Sequence, residues 1–188
     1  MFRVEWVHPG VRAAEEAEEL FEDFMTSYAA GGPCEFTTLY WAARALENSY
    51  VVGRISGFPS GEVELWDSDV VDMLMSVEQA LEALRSCGDG RLELYCQSAG
   101  KDIVVLGGAE EVELYLVPSF ELLGVEGESL RERLSRSGFP RVSCGREYLI
   151  DHLGEVCSKF ARAAVAVDPR LAGHEPVRRW LVGVGGME

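Results

Sequence analysis

Two rhythms of apolar and polar positions run along the chain. In EVELW (62–66), RLELY (91–95) and EVELY (111–115) they trade places at every residue, the period of a half-buried strand. Elsewhere the apolar positions return every three or four residues, the period of a helix with one buried stripe.

The helical rhythm comes first. Residues 9–30 predict a helix opened by Pro9 and ended by Gly31-Gly32-Pro33, with Val11, Ala14, Phe21, Phe24 and Tyr28 on its apolar face. A second, over 37–48, is expected to bury Phe36, Leu39, Tyr40, Ala43 and Leu46. A third runs over 77–86. It is entered through a Ser76-x-x-Gln79 capping box and stopped by Cys87-Gly88-Asp89-Gly90, with Gly88 as a left-handed cap. The preceding VVDMLM (70–75) fits a helix or a buried loop. A short helix over 128–136 closes at Gly138 and Pro140. A long one over 146–167 carries the stripe Leu149, Leu153, Val156, Phe160 and Ala164 and ends at Asp168-Pro169. Pro176 opens a last short helix, VRRWLV.

The alternating runs fall between these. YVVGRIS (50–56) and EVELW flank GFPSG, which predicts a hairpin. RLELYCQS, KDIVVLG and EEVELYLV are joined by Ala99-Gly100 and Gly108-Ala109, links too short for a parallel crossover, so they predict an antiparallel meander. RVSC (141–144) fits a short edge strand. The expected class is α+β: a roughly five-stranded antiparallel sheet, hairpin plus three-strand meander, packed on helices. No composition break reads as a linker. One domain over 1–188 is expected, with 1–49 helical and 50–188 holding the sheet and its helices.

Alternation also assigns faces. Val63, Leu65, Leu92, Leu94, Val112 and Leu114 point one way. Glu62, Glu64 and Trp66, with Arg91, Glu93 and Tyr95, and with Glu111, Glu113 and Tyr115, point the other. On a shared sheet this second face combines carboxylates with aromatics. Like charges on neighbouring strands repel and ask for counter-charges, from this chain's arginines or from another protein.

Composition narrows the class. With 47% hydrophobic residues in 188, the chain can bury a core without staples. Its five cysteines are odd in number, widely spaced and without C-x-x-C, which points to a reducing compartment and to buried apolar roles. MFRVEWVHPG has no apolar signal core, and runs such as IVVL are too short to span a bilayer. A cytoplasmic protein without membrane attachment is expected.

The net charge of −15 is uneven: residues 62–126 hold 15 acids against 3 bases, whereas 127–188 hold 8 against 10. An acidic field of this size argues against nucleic acid and suits a basic protein partner.

Catalytic signatures are weak. The glycine-rich stretches match neither phosphate-binding pattern, so no cofactor is expected. Cys144, His152, Cys157 and His174 lack zinc-ligand spacing, and His152 and Cys157 diverge round one helix, so no metal is expected. Cys144, before the long helix, is the best nucleophile candidate because a helix N-terminus can lower a thiol pKa. The C-x5-R phosphate loop is not met, since Ile150 stands in the Arg place, and the reading favours a non-enzyme.

From 62 to 167 the order EVELW, VEQALEALRSCGDGRLELY, IVVLGGAEEVELYL, REYLIDHLGEVCSKFARA resembles the Imm1-type immunity proteins of bacterial toxin systems. The likeness is one of layout and covers about half the chain. It implies a small cytoplasmic inhibitor and transfers no residue. The expected function is therefore a non-enzymatic acidic protein-binding module, an immunity-like inhibitor that occludes a basic toxin. Glu62, Glu64, Glu93, Glu111 and Glu113 would face basic groups, with Trp66, Tyr95 and Tyr115 as anchors. The alternatives are a structural or homo-oligomeric assembly protein, including a homodimer or phage-type component, and a small-ligand binder or enzyme.

Overall fold

The computed structural model describes residues 1–7, 34–48, 51–65, 67–94, 100–122 and 128–183. The helix expected over 9–30, and the residues Trp66 and Tyr95, lie outside them.

Seven described strands form two antiparallel sheets rather than one. In the first, β1 (Arg3–Val7), β2 (Val52–Phe58) and β3 (Gly61–Leu65) lie in that order. In the second, β4 (Gly90–Leu94), β5 (Lys101–Leu106), β6 (Glu111–Pro118) and β7 (Arg141–Gly145) form a meander with β7 at its edge. The expected five-stranded sheet is thus corrected. Hairpin and meander belong to different sheets, and each gains an edge strand, β1 on the hairpin and β7 on the meander. Local turns define each set of sequential strands, but nothing local says whether the two sets join.

The helices are α1 (Glu35–Asn48), α2 (Asp67–Arg85), α3 (Glu128–Arg136), α4 (Arg146–Val167) and α5 (Val177–Val182). The stripe expected on α4 is buried throughout. On α1, Leu39, Ala42, Ala43 and Leu46 are buried, but Phe36 and Tyr40 are exposed and stack on each other, ring centroids 6.4 Å apart. They lie on the flank of the helix and not in the core.

Helix α2 corrects two expectations. It begins ten residues early because Val70, Val71, Met73 and Leu74 continue the stripe of Val77, Leu81 and Leu84. Ser76 is therefore interior and caps nothing. Its hydroxyl donates to the Met73 carbonyl (2.8 Å) and accepts the Glu93 amide of β4 (2.9 Å). At the other end the Gly88 amide reaches the Ala83 carbonyl (2.8 Å) and the Cys87 amide the Leu84 carbonyl (3.1 Å), a Schellman closure. Its left-handed residue is Cys87 (φ 56), not Gly88.

The main core joins both sheets to α1, α2, α4 and α5, through residues such as Phe2, Ile55, Leu74, Leu92, Leu153, Phe160 and Trp180. A smaller cluster of Val104, Leu106, Tyr115, Val117 and Leu134 lies under α3 on the far face of the second sheet. The sheet is covered on both faces along β5 and β6.

Helix α4 runs along the outer edge of β1. Tyr148 donates its hydroxyl to the Phe2 carbonyl (3.0 Å), the Val4 amide donates to His152 Nε2 (2.9 Å), and Trp6 Nε1 donates to the Val156 carbonyl (3.1 Å). Four helical residues rise about 6 Å and two strand residues about 6.6 Å, so positions 148, 152 and 156 keep step with 2, 4 and 6.

Candidate functional site

The hairpin β2–β3 carries the first pair of predicted acids. Its turn is Pro59-Ser60, closed by Phe58 opposite Gly61. The register slips by one residue between Ile55 and Phe58, where Gly57 adopts φ 106. A Cβ at Gly57 would lie 2.4 Å from the Met1 carbonyl oxygen, so this bulge also needs glycine for space. Before the bulge Arg54 stands opposite Glu64 on β3 and Glu5 on β1. Its guanidinium lies 3.2 Å from Glu62 and 3.8 Å from Glu64, whose side chains remain 57% and 60% exposed. Glu5 pairs with Arg3 (3.8 Å). The wet face of the first sheet thus holds three acids around two arginines.

Beside it lies a small apolar cavity of about 80 Å³. Its walls include Trp6, Leu46, Val51, Leu65 and Phe160, and its polar lining is Glu47 of α1 and Glu64 of β3. Glu47 accepts from Arg44 one turn back (3.1 Å).

The remaining predicted residues are in the second sheet. Glu93 lies 4.0 Å from Arg91, which binds the fully buried Asp102 at 2.5 Å. Asp102 also accepts the Leu94 amide (3.2 Å). Glu113 lies 3.7 Å from Arg141 and accepts from the Tyr115 hydroxyl (3.1 Å). Glu111 is exposed next to Gly145 at the edge. Tyr115 is 1% exposed beneath α3, which corrects its expected place as a solvent-facing anchor. Alternation put it opposite Leu114 correctly, but that second face is covered. The structure therefore brings Glu62 and Glu64 together, and Glu93, Glu111 and Glu113 onto another sheet.

Near Asp102 the Asp72 carboxyl of α2 is pushed up to about 6, first by burial and then by Glu93, Asp69 and Asp102.

The cysteines divide. Cys144 is buried on β7, and burial pushes its thiol up, the opposite direction from the one expected of a helix N-terminus. Cys157 is buried in the core and pushed up to about 12. Cys34 and Cys87 are exposed, contrary to expectation. The Thr37 amide and hydroxyl at the start of α1 lower the Cys34 thiol, and Cys87 contacts the Arg146 guanidinium.

Sequence reasoning missed Arg54, Glu47 and Trp6. Counting back from the Pro59-Ser60 turn puts Arg54 opposite Leu65, and only the bulge at Gly57 moves it opposite Glu64. Glu47 and Trp6 reach the cavity only through tertiary packing. Among the described residues no group of three or more His, Cys, Asp or Glu side chains is placed to hold a metal ion. Nor is any described helix long and apolar enough to cross a membrane. No protein-family model, curated protein or solved structure matches this chain.

Proposed function

We propose that this chain is a non-enzymatic acidic protein-binding module that occludes a basic partner, in the manner of an immunity-type inhibitor of a bacterial toxin. The observation that supports it best is the juxtaposition on the hairpin. Glu62 and Glu64 share one arginine while staying more than half exposed, and Glu64 and Glu47 line an apolar cavity. An arginine or lysine of the partner suits that arrangement: its aliphatic stem enters the cavity and its charged head meets the two carboxylates. The net charge of −15 supplies long-range steering towards such a surface. Glu93, Glu111 and Glu113 contribute to that field from the second sheet.

The test is capture of the partner from the native host with immobilised protein at 150 mM salt. The wild type is expected to retain one basic protein that the double variant Glu62→Lys/Glu64→Lys loses at least tenfold. Equal capture by both would remove the hairpin from the interface, and a captured protein of acidic character would overturn the reading.

A further inference from the structure

The His152 imidazole holds a backbone amide that the sheet leaves over. Val4 pairs with Ile55 in register, but its N–H turns outward from β2 and donates to His152 Nε2 at 2.9 Å. A backbone amide can only donate, so Nε2 must present its lone pair and the ring must be neutral, with its proton on Nδ1. The ring is held in place by Tyr148, stacked at 5.6 Å and 4°, and by Phe2, edge-on at 6.2 Å. The charged groups that face it are Glu155 and Lys159 on its own helix and Glu5 and Arg3 on β1, one acid and one base from each. These offset each other to first order. Burial is left as the largest influence, and it lowers the imidazole below its ordinary value.

We propose that His152 is a proton-operated latch on the N-terminal strand: protonating Nε2 ends the Val4 hydrogen bond, sets one N–H against another, and loosens β1 from α4 at its middle, leaving the Tyr148–Phe2 and Trp6–Val156 bonds on either side. Strand β1 keeps its ladder to β2 on the other side. The sign follows from the lowered folded value. Loosening β1 returns the imidazole towards its ordinary value, whereas the latched ring titrates lower. Latching is therefore constant above about 6.5 and weakens by up to about tenfold per pH unit below it, until the latched ring itself is protonated.

Site-resolved amide hydrogen exchange tests this, with rates corrected for intrinsic exchange. Glu93 is the internal control, since its amide is held by the Ser76 hydroxyl, which does not titrate. Asp72 titrates at about 6 with the opposite sign, so the comparison is made in Asp72→Asn as well as in the wild type. From pH 7.5 to 5.5, Val4 protection is expected to fall severalfold, by up to about tenfold per pH unit below 6.5, while Glu93 protection holds. In His152→Gln, whose amide oxygen accepts without titrating, Val4 protection should be flat over the same range. Protection that stays constant at Val4, falls equally at Glu93, or remains pH-dependent in His152→Gln overturns the latch. Should that variant not fold, the imidazole nitrogen spectrum of the wild type at pH 7.5 decides. A proton on Nδ1 supports the latch, and a proton on Nε2 overturns it.

Discussion

Asp72 shows how one side chain can work against the fold that holds it. It lies in α2, half-buried and close to three other acids, and its carboxyl titrates at about 6 instead of the ordinary 3.8. Because the folded value is raised, its contribution to stability is fully present below about 3.8 and lost as pH rises through about 6. At pH 7.5 the charged form is a burden. Asp72→Asn is expected to stabilise the protein at that pH by about 1 kcal/mol, after discounting the shift for the solvent that still screens a partly exposed group. The gain should vanish near pH 4. Urea denaturation of both proteins at the two pH values measures it, and a variant less stable than wild type at pH 7.5 would contradict it. Tyr115 teaches a related point about legibility. The alternation of EVELY fixes that Tyr115 opposes Leu114, but alternation says nothing about what covers each face. Leu130, Leu134 and Phe139 do so from a segment more than a dozen residues further on.

Elements with one clean stripe were legible to the residue. Both α3 and α4 begin and end where the apolar spacing and the flanking Gly and Pro place them. Helix α2 was not, because VVDMLM crowds apolar residues onto more than one face and so shows no single period. Strand β1 was passed over for another reason. Its alternation of Phe2, Val4 and Trp6 is present, but its partner in β2 is about fifty residues away and a helix covers its other edge. Two of the four outer strands, β1 and β4, share a device: an outward amide that would otherwise invite pairing with another chain is taken up by a helix side chain, His152 on β1 and Ser76 on β4. Ser76→Ala removes the second. It should cost about 1–2 kcal/mol and lower protection at the Glu93 amide, while the amides of Glu78 and Gln79, which a cap at Ser76 would hold, exchange as before. Loss of protection at Glu78 and Gln79 instead would restore Ser76 to a capping role.

Over the whole molecule, several arginines of the last third reach back to acids of earlier elements, while Arg136, Arg146, Arg170 and Arg178 pair locally. Arg131 pairs with Asp89, Arg133 with Glu121, Arg141 with Glu113, and Arg179 with both Glu35 and Glu78. These pairs are partly exposed and individually weak, and they leave the net charge at −15. Self-repulsion should therefore outweigh them. Raising salt from 20 to 300 mM is expected to raise the melting temperature, by about 2–4 °C for each kcal/mol of repulsion screened. A fall would show that the ion-pair network carries more of the stability than the charge imbalance removes. The stitching of β1 to α4 has a further consequence for how the chain comes into being. Its three hydrogen bonds join residues 146 to 150 positions apart. A nascent chain emerges from its N-terminus, so β1 must wait with one edge bare until the segment around Tyr148, His152 and Val156, 146 to 150 positions later, arrives to close it.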